Sequence, residues 1–291
     1  MLRALSSGVS GIQQFQNSLD VIGNNIANSN TIAFKSARAD FSDAFSQTLQ
    51  VSSASSNGAG QSGMQVGSGV STSAVKNMFT QGAVNRTGVG TDLAISGDGF
   101  FMVKDPINGA EYATRAGDFR LDTNGYLITN KGMRVQGTFG GANNTPGAGR
   151  GDIQIDATGV PSTTSPTAKM TSFSIASDGT VKVNMDDGTD FVRGQVLLQR
   201  FNDPQALLKE GDNLYSGIGA AGPLGGTANP AAEVPGTNGL GKIESSALEL
   251  SNVDLANEFA NLITTQRGFQ ACARIITTSD EILQELVNLK R

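Results

Sequence analysis

The stretch that decides the fold covers residues 248–291 and reads LELSNVDLANEFANLITTQRGFQACARIITTSDEILQELVNLKR. Apolar residues recur every seven positions at Leu255, Leu262, Phe269, Ile276 and Leu283, with a second register four positions on at Phe259, Ala273 and Val287. Two such registers place apolar side chains along one narrow seam of an α-helix. About 40 residues at about 1.5 Å each would span about 60 Å, far beyond an average globular helix. The pattern therefore predicts a long C-terminal helix that needs a partner along its seam.

A comparable apolar pattern lies at the other end of the chain, in residues 2–27. Its members step by three or four positions and cover one helical face: Leu5, Val9, Ile12, Phe15, Leu19, Ile22 and Ile26. Gly8, Gly11 and Gly23 each weaken this helix by roughly 1 kcal/mol relative to alanine. Its stability is therefore expected to come from burying the apolar face. Two amphipathic helices on one globular core would give the same pattern, but their location at opposite chain ends favours a separate helical layer.

Composition excludes several classes of function. The formal net charge is −5, whereas a nucleic-acid surface needs a clustered excess of Lys and Arg. The chain contains no histidine, which excludes Ser/His triads and histidine-ligated metals within it. Its single cysteine, Cys272, allows no disulfide framework and is interpreted as a packing residue. We expect no membrane span and no cleaved signal peptide, because Ser6, Ser7, Ser10 and Gln13 interrupt the apolar N-terminal pattern.

The middle of the chain follows a different period. Residues 36–80 are predicted to form an extended linker, and residues 51–70 are small and polar. From 81 to 244, short apolar runs alternate with turn pairs such as Asn124-Gly125 and Asp178-Gly179, which are hairpin signals. The sequence therefore predicts a central all-β domain.

These patterns together predict an α+β protein in which N- and C-terminal helices form a coiled-coil-like layer. The helical domain would comprise residues 1–35 plus 245–291, and residues 81–244 would form a β-rich outer domain. Residues 138–170 are rich in Gly, Thr, Ser and Pro, and they are interpreted as a loop or a small insertion.

Candidate sites for chemistry are weak. Asp186, Asp187 and Asp190 surround Gly188, but their spacing differs from the twelve-residue calcium loop and no glutamate closes it. We interpret them as a solvated hairpin turn. The run Gly97-Asp98-Gly99 precedes a predicted strand, which excludes a dinucleotide loop. No enzyme, cofactor or metal is predicted. A carboxylate hydrolase and an adhesin with a coiled-coil stalk remain alternatives, although neither accounts for helices at opposite chain ends.

Several motifs, in chain order, carry a resemblance to a known family. They are NNIANSNT at 24–31 followed by Phe34-Lys35, ISGDGFF at 95–101, TRAGDF at 114–119, DTNGYL at 122–127, QRFNDP at 199–204, GDNLY at 211–215, LELSNVDLA at 248–256 and QRGFQ at 266–270. This set resembles the axial proteins of the bacterial flagellum, the rod and hook family. The chain carries Ala33 where that family usually has glycine.

The resemblance implies a structural subunit that assembles into a tube, with the terminal helices inside and the β-domain outside. Head-to-tail contacts that do not close give such an open helical filament. The endings ITTSDEIL at 276–283 and LVNLKR at 286–291 resemble the hook, a short curved tube that acts as a universal joint transmitting motor torque. The moderate length instead resembles the distal rod, the rigid drive shaft of the basal body. We favour the hook and retain the distal rod as the alternative.

The resemblance also implies partners, a location and functional residues. The partners are further copies of the chain in a helical homopolymer, the rod, hook-cap and hook–filament junction proteins, and the flagellar export apparatus. The location is the hook or basal body of the flagellum, outside the cell after export without a cleaved signal peptide. The two apolar seams would drive polymerisation. The implied family signature consists of Asn24, Asn25, Asn28, Asn30, Thr31, Ser251, Asn252, Val253 and Asp254.

Overall fold

A computed structural model describes residues 2–52, 62–139, 149–156, 169–224 and 233–289, with side chains from Leu5 onward. Parts of the predicted 51–70 link and of the predicted 138–170 insertion lie outside these ranges. The chain divides into a helical unit (Met1–Ser29, Ser36–Met78 and Val253–Arg291) and a β unit (Asn30–Lys35 and Phe79–Asn252). The predicted α+β class, with helices at both ends and sheet between them, is confirmed.

Two long helices dominate the helical unit: α1 spans Leu2–Ala27 and α2 spans Leu255–Leu289. Helix α2 begins after Asp254, whose carboxylate accepts hydrogen bonds from the backbone N–H of Ala256 at 2.9 Å and from Nδ2 of Asn257 at 2.7 Å. Such an N-cap satisfies donors that the first helical turn leaves unpaired. Within the described ranges, neither helix has a segment both apolar and long enough to cross a membrane.

Glycines let the two helices approach closely. A Cβ added at Gly11 would lie 2.9 Å from Sγ of Cys272, and one added at Gly268 would lie 2.7 Å from the ring of Phe15. Such distances leave no room for a larger side chain, so α1 and α2 interlock where glycine is present. Gly11 and Gly268 are thus used in packing, and the placement of Cys272 agrees with its predicted packing role.

A long antiparallel ribbon completes the helical unit. Its strands are β1 (Ala37–Asp43), β2 (Ser46–Gln50), β3 (Met64–Gly67) and β4 (Val70–Asn77). Strand β1 pairs with β4, and β2 pairs with β3 farther along the same ribbon. Residues 36–80 were predicted to be an extended linker, and the structure instead shows paired strands there. The alternation of apolar and polar residues is missing because most of the ribbon is exposed on both faces.

The ribbon lies along the polar face of α1. The backbone N–H of Val70 donates to Oγ of Ser10 at 3.4 Å, and Asn17 Nδ2 donates to Oγ1 of Thr72 at 3.3 Å. The Thr72 hydroxyl in turn donates to Oε1 of Gln14. The polar face of α1 therefore holds strand β4.

The β unit contains sixteen described strands. They are β5 (Val84–Arg86), β6 (Leu93–Ser96), β7 (Phe100–Lys104), β8 (Glu111–Thr114), β9 (Arg120–Leu121), β10 (Leu127–Ile128), β11 (Arg134–Phe139), β12 (Arg150–Asp152), β13 (Met170–Ile175), β14 (Thr180–Met185), β15 (Asp190–Val196), β16 (Leu198–Gln199), β17 (Leu208–Gly211), β18 (Leu214–Ser216), β19 (Lys242–Ser245) and β20 (Ala247–Glu249).

One antiparallel sheet organises these strands. Its main path runs β13-β14-β15-β11-β7-β8-β18-β17. Off this path, β10 and β12 pair with β11, β16 pairs with β7 and β9 pairs with β10, while β6–β19 and β5–β20 form separate two-stranded pairs. Strand β7 is covered on both faces: Phe101 and Val103 enter one hydrophobic cluster, whereas Phe100 and Met102 enter another. Successive strand residues point to opposite faces, so a continuous apolar run marks a strand buried on both sides.

The predicted turns in this unit are confirmed. Gly125 and Gly179 adopt φ values of 79° and 81°, in the left-handed region that glycine tolerates, and both connect antiparallel strands. The segment around Gly188 joins β14 to β15 as a hairpin. The boundary with the C-terminal helical segment differs from the predicted residue 245, because residues 245–252 belong to the β unit.

Candidate assembly surface

Most of the predicted seam residues are buried or half-buried within one chain. On α1, Ile22 is buried, and Leu5, Ile12, Phe15, Leu19 and Ile26 are half-buried. On α2, Leu262, Phe269, Ile276 and Leu283 are half-buried. The structure thus brings these two apolar patterns together within one molecule. Their predicted role in contacts between molecules stays a prediction.

Four predicted seam residues are exposed. Val9 is 40% exposed, Leu255 42%, Phe259 50% and Val287 68%. On α2, Ile263 continues the exposed row at a spacing of four from Phe259, and a second exposed row comprises Ile275, Ile282, Leu286 and Leu289. Residues three, four or seven apart share a helical face. We call these two rows the exposed α2 rows. The seven-residue pattern contained Leu255 and Phe259 but placed them on a covered seam, and it contained no residue of the second row.

The ribbon adds a second exposed apolar surface. Phe45 is 95% exposed, Leu49 50%, Met64 53% and Val66 38%, all on or beside strands β2 and β3. Contiguous exposed apolar side chains on a soluble chain mark an interaction surface more often than chance placement. This surface was not predicted, because residues 36–80 were expected to form an extended linker.

The N-terminal signature residues organise the end of α1. Asn25 is 1% exposed, and its side chain mimics a strand neighbour: Nδ2 donates to the carbonyl of Ala37 at 2.8 Å, and Oδ1 accepts from the N–H of Ala37 at 3.0 Å. Asn28 donates from Nδ2 to the carbonyl and to Oδ1 of Asn24, both at 2.9 Å. These asparagines fix where the helix ends and where β1 begins.

The turn after the helix belongs to the β unit. Asn30 is exposed, and the carbonyl of Thr31 accepts from the N–H of Phe34 at 3.3 Å. Ala33 is fully buried at a φ of 55°, and its N–H donates to the carbonyl of Glu249 at 2.8 Å. The chain therefore keeps the left-handed conformation that glycine favours, although it carries alanine.

The C-terminal signature precedes α2. In the β unit, Asn252 Nδ2 donates to Oγ1 of Thr80 at 2.8 Å, and its N–H donates to the carbonyl of Phe34 at 3.3 Å. Ser251 and Val253 flank it and are half-buried, and Asp254 is the N-cap already described. The signature residues thus serve local geometry, at the points where the two long helices end and begin.

A buried ion cluster joins three motifs of the β unit, and sequence analysis did not find it. Nζ of Lys35 lies 2.6 Å from Oε1 of Glu249 and donates to the carbonyl of Thr80 at 2.7 Å. Oε1 of Glu249 also accepts from the N–H of Gly82 at 2.8 Å, and Nη1 of Arg115 lies 3.6 Å from Oε2. The side chains of Lys35 and Glu249 are 0% exposed. The only sign of this cluster in the sequence was that each of the three motifs contains one of its charged residues.

Burial shifts two pKa values in and beside this cluster. Desolvation lowers the pKa of Lys35, and the Glu249 carboxylate opposes part of that shift. Desolvation likewise raises the pKa of the Tyr215 hydroxyl. Among the described residues, no group of three or more His, Cys, Asp or Glu could hold a metal ion. The arrangement is that of a structural ion pair, with no nucleophile beside a base.

Three segments of the chain match families of flagellar proteins. Residues 5–35 match the family described as flagella basal body rod protein, residues 94–183 match the flagellar hook protein FlgE/F/G D1 domain, and residues 244–289 match the flagellar basal body rod FlgEFG protein C-terminal family. The chain is 44% identical to the flagellar basal-body rod protein FlgG of Bacillus subtilis (strain 168) over 292 residues, covering 100% of both chains. The chain belongs to the flagellar rod and hook protein family.

Two further members of the flagellar rod and hook protein family come from one organism, Borreliella burgdorferi. Its flagellar basal-body rod protein FlgG is 32% identical over 295 residues, and its flagellar hook protein FlgE is 29% identical over 453 residues, each match covering 100% of both chains. The family consists of self-assembling structural components that interact with other flagellar proteins, and it is not enzymatic. The comparisons favour rod proteins over the hook protein preferred from the sequence.

Proposed function

We propose that this chain is the distal rod protein of the flagellar basal body, a subunit of its rigid drive shaft. The observation that carries this proposal is the end-to-end match with the Bacillus rod protein over 292 residues. The Borreliella hook protein instead needs 453 aligned positions to match the 291 residues of this chain, so it carries a large insertion that this chain lacks. The C-terminal endings at 276–283 and 286–291, which resemble the hook, do not outweigh that difference.

The helical unit supplies the contacts between copies. The packing of α1 on α2 leaves Leu255, Phe259 and Ile263 exposed in one row, and burying such a side chain fully contributes about 1.5–3 kcal/mol. Each is about half exposed, so a neighbouring copy that covers the row would gain roughly 1 kcal/mol per residue. Repeated along a filament, contacts of this size hold a helical homopolymer together.

The ribbon adds contacts that resist bending. A two-stranded ribbon is marginally stable alone, and β2 and β3 expose most of their surface. A neighbouring copy that covers Leu49 and Val66 would order the ribbon and tie successive copies together. The proposed partners are further copies of this chain, adjacent rod proteins and the flagellar export apparatus, and the proposed location is the basal body.

The shape of the polymer tests the rod assignment. The purified chain is concentrated and its assemblies are imaged by negative-stain electron microscopy. We expect straight tubes, whose contour does not bend over their whole length. Uniformly curved, flexible tubes would instead support the hook, and a monomer at every concentration would contradict both.

Substitutions on α2 test the assembly surface. Phe259→Asp places a charge in an exposed α2 row and should abolish polymerisation while the helical circular dichroism stays unchanged. Thr264→Asp is the matched control. Residue 264 follows Phe259 by five positions, and at 3.6 residues per turn it therefore lies on a different side of α2. Leu262→Asp buries its charge against α1 and should unfold the helical unit. Normal tubes from Phe259→Asp would refute the role given to this row.

A further inference from the structure

Two aspartates face each other where two connections of the β unit meet. Asp92 is the last residue of the connection between β5 and β6, and Asp118 lies in the connection between β8 and β9. The two residues form an isolated antiparallel bridge. The flanking Leu93 N–H donates to the Gly117 carbonyl at 3.0 Å, so the aspartates are a non-hydrogen-bonded pair, whose side chains lie closest and whose Cα atoms are about 4.5 Å apart. We call Asp92 and Asp118 the carboxyl pair.

Both members of the carboxyl pair accept hydrogen bonds from neutral donors. Oδ2 of Asp92 accepts from Oγ1 of Thr87 at 2.6 Å, and Oδ2 of Asp118 accepts from Nδ2 of Asn130 at 2.5 Å. Among the described residues, neither carboxylate forms an ion pair with a lysine or arginine. Like charges that lie directly opposite each other destabilise a strand pair. Ionisation of both members therefore weakens the contact that they form.

Burial increases the cost of the second charge. Asp92 is 9% exposed and Asp118 is half-buried. Burial raises the pKa of the Asp118 carboxyl above its ordinary 3.8, its own backbone N–H opposes part of the rise, and the charge on Asp92 adds to it. Asp118 also lines a cavity of about 250 Å³, which gives protons access to it. Lys131 and Asp212 line the same cavity, but they pair with each other at 3.1 Å.

We propose that the carboxyl pair makes the contact between these two connections sensitive to pH. While Asp118 is protonated, the pair carries a single negative charge, and the Leu93–Gly117 hydrogen bond stays closed. When Asp118 ionises, the two charges repel each other across the bridge, and this hydrogen bond opens more often. The carbonyl of Asp92 also accepts from the Ser246 N–H at 2.8 Å, so the connection between β19 and β20 loosens with it. This change takes place within one chain, whether or not copies assemble.

Carbon NMR of the aspartate carboxyls tests the pair itself. The Cγ resonance of Asp118, identified by its loss in Asp118→Asn, is followed as the pH rises. We expect its titration midpoint to lie above 3.8 and to fall in Asp92→Asn, because the neighbouring charge is then gone. Asp190→Asn, at an exposed position of the same unit, is the matched control and should leave the midpoint unchanged. A midpoint at or below 3.8, or one that Asp92→Asn does not lower, would overturn the pair.

Amide hydrogen exchange tests the structural consequence. The protection factor of the Leu93 amide is measured relative to that of Ile153, whose N–H donates to the Val135 carbonyl at 3.0 Å elsewhere in the β unit. Because the raised pKa lets the folded chain keep a proton that the unfolded chain has lost, this contact weakens as the pH rises above 3.8.

The relative protection of Leu93 should therefore fall by up to about fivefold as the pH rises toward neutrality, which is the size of one unfavourable cross-strand pair. Asp118→Asn keeps the shape of the side chain and removes its charge, so it should show no such fall. A relative protection that stays constant with pH in the wild type would overturn the pH-sensitive contact, even if the two carboxyls titrate as a pair.

Discussion

The two partners of the buried ion pair, Lys35 and Glu249, are expected to contribute unequally to the stability of the β unit. Replacing Glu249 with glutamine should destabilise the β unit far more than replacing Lys35 with methionine. Oε1 of Glu249 accepts from Lys35 at 2.6 Å and from the Gly82 N–H at 2.8 Å. Arg115 lies 3.6 Å from Oε2. Both cations therefore depend on one carboxylate.

The magnitudes follow from what each change leaves behind. Glu249→Gln leaves two buried cations without a counter-charge, and breaking a buried ion pair costs about 3–5 kcal/mol. Lys35→Met leaves Glu249 with Arg115 and with the Gly82 N–H, so the carboxylate stays paired. The carbonyl of Thr80 also keeps its contact with Asn252 Nδ2 at 3.3 Å. The expected cost is then that of lost hydrogen bonds, about 1–2 kcal/mol.

Urea unfolding followed by tyrosine fluorescence measures this difference. The chain has no tryptophan, and its three tyrosines all lie in the β unit, so the signal reports that unit alone. Glu244→Gln on β19 is the matched control and should change the free energy of unfolding by less than about 0.5 kcal/mol. Equal costs for the two cluster variants, or a larger cost for Lys35→Met, would refute the reasoning.

Two further predictions concern pH and helix packing. Because burial lowers the pKa of Lys35 below its ordinary 10.5, the unfolded chain binds more protons than the folded chain just below that pH. The stability of the wild type relative to Lys35→Met should therefore rise as the pH increases toward 10.5, and a flat difference in urea midpoints would contradict this. Gly268→Leu should lower the melting temperature of the helical signal, since the Phe15 ring lies 2.7 Å from a Cβ there, at a cost of about 1–3 kcal/mol. Gly23→Leu, where no atom lies within 4 Å of the added Cβ, should raise it; the same loss at both sites would count against close packing.

Regular local patterns were enough to predict much of this fold. The three- and four-residue steps of α1 and the seven-residue repeat of α2 predicted both helices, and Asn124-Gly125 and Asp178-Gly179 predicted turns that the structure confirms. These features depend on neighbours in the chain, since helix and turn geometry fix which nearby residues share a face. The C-terminal pattern was extended too far toward residue 248, because apolar residues of β20 continue it until the Asp254 cap.

The ribbon and the ion cluster depended on contacts between distant residues. The ribbon lacks a two-residue alternation because it rests on the polar side of α1 and exposes most of its surface, so nothing in its own sequence marks it as paired. Lys35 and Glu249 are 214 positions apart and meet only in the folded β unit. Sequence alone determined which residues share a helical face or a turn. The tertiary structure decided which of those faces is covered within one chain and which stays exposed, because burial depends on what the rest of the chain brings alongside.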